Sequence, residues 1–237
     1  MNEMDTRFAN QYNIQWFPGH MTKTLRMMEQ EIQHVDASLV LLDARIPLSS
    51  LNPEIERITA GKPHLYILNK ADLADPEITK QWLAYFTSAG AGCIAMDSKQ
   101  RGRATATKSL IEKELSALME RRRKKGMIGA RIRVMVVGIP NVGKSTLINQ
   151  ISGRKGAKAE NRPGVTRGKQ WVTVDAGLQL LDTPGILWPK FEDPEVGMML
   201  AFTGAVKEGV IDVEELSCRL LELLLAYYPQ TLKERYK

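Results

Sequence analysis

The chain has 237 residues, 43% hydrophobic and 25% charged, with a net charge of +6 and a sequence pI of ≈ 9.3. That length holds one substantial α/β domain plus a smaller element. No apolar run approaches the roughly 18 residues of a transmembrane helix, and the opening MNEMDTRFANQYN has no signal-peptide core, so a cytoplasmic protein without stable membrane association is expected.

Residues 1–13 are polar and aperiodic and read as a disordered extension. In QWFPGHM (residues 15–21), Pro18-Gly19 marks a turn that two aromatics would anchor. Met21, Leu25, Met28, Ile32 and Val35 then recur on one helical face. Residues 38–42 (SLVLL) read as a buried strand that ends in DARIP, and residues 53–58 as a short helix. Residues 64–68 (HLYIL) form the next strand, which ends in Asn69-Lys70-Ala71-Asp72, with a helix over 76–88. Residues 93–96 form a further strand ending in Asp97-Ser98, and a helix over 104–119 carries Ile111, Leu115 and Leu118. The basic run Arg121, Arg122, Arg123, Lys124 and Lys125 reads as a linker. Residues 99–133 hold twelve Lys/Arg against three Glu, so the basic character is local, as a nucleic-acid footprint would be.

Residues 132–137 (IRVMVV) read as a buried strand, followed by GIPNVGKS and a helix over 146–151. The sequence fits the phosphate-binding pattern G-x-x-x-x-G-K-[ST] in its required strand–loop–helix setting. Gly138 and Gly143 let the backbone N–H groups curl towards phosphate oxygens, and the helix adds its positive end. Lys144 would place a cation on the β- and γ-phosphates, and the Ser145 hydroxyl can ligate Mg²⁺. Beyond a flexible loop at 156–168, residues 171–174 and 178–181 form a hairpin, whose second strand ends at Asp182-Thr183-Pro184-Gly185. The remainder reads as helices, with Leu216, Leu220, Leu223 and Leu224 as a core-packing stripe. The two cysteines, Cys93 and Cys218, read as buried free thiols. Alternating strands and helices predict a mostly parallel sheet with helices on both faces, and ligands at the strands' carboxyl ends.

The base is read from Asn69-Lys70-Ala71-Asp72. The Asp72 carboxylate can accept from guanine N1–H and the 2-amino group, whereas adenine would leave it unpaired, a discrimination of ~10⁴ or more. Asn69 would brace the loops and Lys70 lie along the base.

These motifs resemble the translation-factor-related GTPases, but their chain order is NKAD, Asp97-Ser98, phosphate loop, Thr166, DTPG, a circular permutation of the usual one. With QWFPGHM, DARIP, GIPNVGKSTLIN, RPGVTRG and DTPGILWPKFED, residues 14–237 closely resemble the ribosome biogenesis GTPase A family of bacterial large-subunit assembly factors. The resemblance implies an α/β fold: a circularly permuted P-loop GTPase domain over 14–190, with a six-stranded sheet, and a small helical element over 191–237. The family continues into further C-terminal helices, so the chain looks short at that end. The resemblance further implies GTP and GDP as ligands, held by Asn69, Lys70, Ala71, Asp72, Asp97, Ser98, Asn141, Val142, Gly143, Lys144, Ser145, Thr146 and Gly185. Mg²⁺ would be held by Ser145, by Thr166 in the switch loop, and through water by Asp182. Asn141 would help bind K⁺ beside the phosphates. Ras-like enzymes place a water-orienting Gln after the DxxG glycine; here that residue is Ile186, so intrinsic hydrolysis should be slow and His20 is the implied catalytic group. Expected partners are the large ribosomal subunit and its rRNA, contacted by Arg121, Arg122, Arg123, Lys124 and Lys125, with the factor itself monomeric. A GTP-dependent switch acting on a non-ribosomal protein or membrane partner remains open beside this. A P-loop kinase using ATP is disfavoured by Asp72 and the Thr166/DTPG pair.

Overall fold

The structure is a computed structural model describing residues 14, 16–98, 103–127, 129–153 and 169–236. The extension expected at residues 1–13 and the loop expected at 156–168 lie outside these.

The described elements begin with helix α1 (Gly19–Glu31), strand β1 (Ala37–Asp43), α2 (Pro53–Thr59), β2 (His64–Asn69), α3 (Pro76–Ser88) and β3 (Gly92–Met96). Then come α4 (Arg103–Glu114), α5 (Ser116–Lys124), β4 (Ile132–Gly138), α6 (Lys144–Ser152), β5 (Gln170–Thr173) and β6 (Leu178–Asp182). The C-terminal helices are α7 (Pro194–Phe202), α8 (Val213–Tyr227) and α9 (Pro229–Arg235). Several helices start at an Asn or Asp whose side chain accepts the orphan amides of the first turn, often with Pro in the first turn. Asn52 accepts from Glu54 N–H, Asp75 from Glu77 and Ile78, and Asp193 from Glu195.

The six strands form one sheet in the order β3-β2-β1-β4-β6-β5. All neighbouring pairs are parallel except β5–β6. Every residue of β1 is buried, and β4 is buried at all positions but Arg133, as a central parallel strand covered on both faces requires. Register places Asp43 beside Asn69, Asn69 beside Met96, Leu41 beside Gly138, and Val136 beside Asp182. The strand ends carrying NKAD, the phosphate loop and DTPG therefore share one edge of the sheet.

The chain divides into two compact units, Phe17–Trp188 and a second made of Met1–Trp16 with Pro189–Lys237. In the second, Gly197 packs against Phe191 and Ile14, where a side chain would crowd both. The α8 stripe Leu216, Leu220, Leu223 and Leu224 is only half-buried, and Leu221 and Leu225 are exposed.

Four expectations change. The helical face of α1 centres on Met21, Thr24 and Met28, and the helix stops at Glu31, with Val35 already extended. The helix expected over 104–119 is two, broken at buried Leu115. The basic run is not a linker: Arg121, Arg122, Arg123 and Lys124 form the last turn of α5, where cations complement the helix's negative end. Cys93 is half-buried, and burial pushes its thiol up to about 12, but Cys218 is exposed because it lies off the α8 stripe.

Candidate functional site

The site is built where β1, β2, β3, β4 and β6 end. β4 runs into the phosphate loop through Gly138, where an added Cβ would lie 2.5 Å from Leu41 O. The loop then needs left-handed backbone at Asn141 (φ 58) and Gly143 (φ 106) before α6 begins at Lys144. Gly143 is also required for space, since an added Cβ would overlap the Asn69 side-chain amide.

Lys144 is buried and folds back over the loop, its Nζ donating to Gly138 O (3.0 Å) and Ile139 O (2.8 Å). Burial pushes its pKa down to about 8; the Asp182 charge opposes this and Lys70 adds to it. Such an amine is held ready for a stronger anionic partner. Val142 is fully buried, and Ser145 and Thr146 open α6 half-buried.

Ser145 Oγ donates to Asp182 Oδ2 at 3.1 Å. Asp182 is 1% exposed, and its Oδ1 is buried with no hydrogen-bond partner among the described residues. Burial raises its pKa against the pull of Lys144, the Ser145 hydroxyl and the Thr183 amide. An orphaned carboxylate oxygen beside a hydroxyl is a donor set that fits a hard cation such as Mg²⁺. Among the described residues, no group of three or more His, Cys, Asp or Glu is placed to hold a metal ion.

The DTPG segment is clamped to the phosphate loop. Thr183 Oγ1 donates to Val136 O (2.7 Å), and Ile186 N–H to Gly138 O (3.4 Å). A Cβ on Gly185 would fall 2.6 Å from Pro140 Cα and 2.9 Å from Lys144 Nζ. Ile186 is 1% exposed, which suits its inability to orient water.

Asn69 joins three segments. Its Nδ2 donates to Val142 O (2.6 Å), and its Oδ1 accepts from Ser98 N–H (3.0 Å) and Ser98 Oγ (2.7 Å). The bracing expected of Asn69 is thus visible, and buried Ser98 is its counterpart; Asp97 beside it is half-buried. Lys70 adopts a left-handed backbone (φ 61), Ala71 and Asp72 follow in a 3-10 turn, and Asp72 is exposed.

Sequence reasoning missed Asp43, Arg45 and Asn52. Asp43 ends β1 at 1% exposure. Its carboxylate takes a two-point contact from Arg45 (2.8 and 2.7 Å) and one from Lys70 Nζ (3.0 Å). Burial works against the Asp43 charge, but Arg45 and Lys70 outweigh it and hold its carboxyl below the usual value. Arg45 also feels the Asp72 charge. Asp43 therefore holds the Lys70 ammonium at the end of β1. The available signal was an aspartate closing a strand on the NKAD edge. Asn52 Nδ2 donates to Ile186 O at 3.0 Å, tying α2 to the segment after DTPG.

Thr166 lies outside the described residues. His20 is exposed in the first turn of α1; its neighbour Met21 is buried, with Sδ accepting from Leu187 N–H at 3.4 Å, two residues beyond Gly185. Within the basic run, Arg122 is committed: it binds Asp36 through two nitrogens and donates to Arg131 O.

A phosphate loop, an NKAD turn and a DxxG segment at one sheet edge, in this chain order, define a circularly permuted P-loop GTPase, a class that implies Mg²⁺. The profile of a family described as 50S ribosome-binding GTPase matches residues 133–226. The chain is 47% identical over 224 residues to the ribosome biogenesis GTPase A of Priestia megaterium, a match spanning 94% of this chain and 78% of the relative. The Bacillus cereus protein of the same name is 46% identical over 228 residues, spanning 94% and 75%. GNP-bound YlqF from T. maritima superposes with a TM-score of 0.62 at 25% identity, covering 86% of this chain and 75% of that one. The chain belongs to the ribosome biogenesis GTPase A family and is a GTP hydrolase. No described helix is long and apolar enough to cross a membrane.

Proposed function

We propose that this GTPase is an assembly factor for the large ribosomal subunit, binding the immature particle and its rRNA with GTP in place and leaving after hydrolysis. It acts as a monomer in the cytoplasm. The names of its relatives support a role in ribosome assembly. The observation that carries the switch is the seat of Gly185 against Pro140 and Lys144, with Ile186 bonded to Gly138. The presence or absence of a γ-phosphate at Lys144 must alter that contact.

Lys144 and the loop N–H groups hold the triphosphate. Asp72 reads the guanine, while Asn69, Asp43 and Arg45 keep that turn in register with the phosphate loop. Ser145, Thr166 and, through water, Asp182 would hold Mg²⁺, which would supply charge neutralisation on the triphosphate. Asn141, with its left-handed backbone (φ 58), would help to hold K⁺, which would supply further positive charge to the triphosphate. Ile186 leaves the attacking water without an orienting amide. His20, on the turn whose next residue contacts Leu187, supplies that function when the ribosomal particle closes the site. Its imidazole takes the water's proton as oxygen attacks the γ-phosphorus and the β–γ bridging bond breaks. Arg121, Arg123, Lys124 and Lys125, all exposed, contact rRNA; Arg122 is withdrawn from that set by Asp36.

The test is GTP turnover with and without large subunits, in K⁺ and in Na⁺ buffer. The expected result is strong stimulation that is larger in K⁺ and lowered by about 10²-fold in His20→Ala, with GTP affinity unchanged. Stimulation by liposomes and not by subunits would move the function to a non-ribosomal switch, and unaltered turnover in His20→Ala would remove the catalytic histidine.

A further inference from the structure

At the opposite edge of the sheet, where β1, β4 and β6 begin, lies an open cleft of about 680 Å³. Its lining includes Lys62, Arg122, Arg131 and Arg133, with Asp36 as the acidic residue. Asp36 is already matched by Arg122, which leaves three cations without a carboxylate. Lys62 Nζ donates to Val35 O (2.8 Å) and Arg131 Nε to Ala176 O (3.3 Å), so both heads are held in place by backbone carbonyls. Arg133 is the exposed residue of β4. Its guanidinium lies 5.6 Å from the centroid of the Trp171 ring, and no hydrogen bond or ion pair engages its side chain among the described residues.

We propose that this cleft is an RNA-backbone site, in which Lys62, Arg131 and Arg133 take phosphates of one RNA strand. The proposal deepens the ribosomal reading above and rests on it for its partner. A guanidinium held over an indole by a cation–π contact is restrained while its donors stay available for a phosphate's oxygens. The cations are anchored at different strand starts: Lys62 at Val35, just before β1, Arg131 at Ala176, just before β6, and Arg133 on β4. Beyond Arg122, the exposed cations of α5 continue the row. A polyanion with successive phosphates fits such a row better than a single compact anion. Half-buried Trp171, beside Arg133, adds an aromatic surface of the kind on which bases stack, which an acidic peptide would not use. The cleft lies about 17 Å from the phosphate loop, five residues along β4, so RNA and GTP can be held together.

The experiment is fluorescence anisotropy of a labelled oligouridylate with the full chain and GTP, across a salt series. In the Lys62→Ala/Arg131→Ala/Arg133→Ala triple variant, the slope of log K against log salt should fall by about 2, and in Arg133→Ala alone by about 0.7. GTP affinity, which should stay at the wild-type value, reports that the variants are folded. An unchanged slope in the triple variant would overturn the proposal, as would displacement of the RNA by polyglutamate at matched charge, which points to an acidic protein partner. Subunit-stimulated turnover of the unmodified chain is measured alongside. Its absence removes the ribosomal reading, whereas intact stimulation with an unchanged slope removes the cleft alone.

Discussion

The two edges of the same sheet use polar residues in opposite ways. At the carboxyl edge, Asp43, Asn69, Ser98, Lys144, Asp182 and Thr183 are all buried, and most bond a residue of another segment. At the amino edge, Arg131 and Arg133 are exposed, and among the described residues the side chains of Lys62 and Arg131 bond backbone carbonyls. One edge holds geometry, because buried partners cannot be exchanged for water without cost. The other holds charge, which acts through solvent and yields to salt. A small triphosphate needs the first, and a long polyanion can use the second.

The largest effect that tests this contrast is on base choice. Asp72→Asn removes the carboxylate that guanine needs, and the preference for GTP over ATP should collapse by up to ~10⁴ in competition binding. A preserved preference would mean that the carboxyl edge does not read the base at this turn.

Stability should follow burial. Asn69→Ala leaves Val142 C=O and the Ser98 donors without their partner and should lower unfolding free energy by about 2–4 kcal/mol in chemical denaturation. A loss within surface-mutation range would show that the three segments hold their register without it.

The Lys144 amine sharpens the comparison by pH. It sits at about 8 against the ordinary 10.5. Between those values the unfolded chain binds more protons than the folded one, so nucleotide-free protein should gain stability as pH rises through that window. Phosphate favours the charged amine, so GTP binding above about pH 8 should take up a proton and weaken by up to tenfold per pH unit. Titration calorimetry in buffers of different ionisation enthalpy measures the uptake; none above that pH would place Lys144 as charged in the free protein.

The smallest effects divide the basic helix itself. Arg122→Ala, which frees Asp36, should cost about 1–2 kcal/mol, while Arg123→Ala one residue on should stay within about 0.5 kcal/mol. Equal losses would erase the distinction between the structural arginine and its solvated neighbours.

Strand placement and the nucleotide motifs were legible because their signals are local. IRVMVV before GIPNVGKS and HLYIL before NKAD are continuous apolar runs followed by loops with fixed chemistry, and they became β4 and β2. The basic run misled as a linker because a charge cluster carries no periodicity of its own, and its helicity comes from the packing of Leu115 and the Arg122–Asp36 pair. Asp43 was invisible as a site residue because an aspartate ending a strand looks like any turn until Lys70 and Arg45 are seen to converge on it.

The strands, the phosphate loop, the NKAD turn and the permuted order were legible from the residues alone, because hydrophobic runs and glycine-dependent loops are written in consecutive positions. Only the tertiary structure decided that Asn69 bonds Val142 and Ser98, that Asp182 keeps one oxygen unpartnered, and that Arg133 lies on Trp171. The pairs that are bonded or stacked lie 29 to 73 positions apart in the chain, or on strands that meet only through the sheet. Their meeting depends on strand register and burial, which no local pattern encodes.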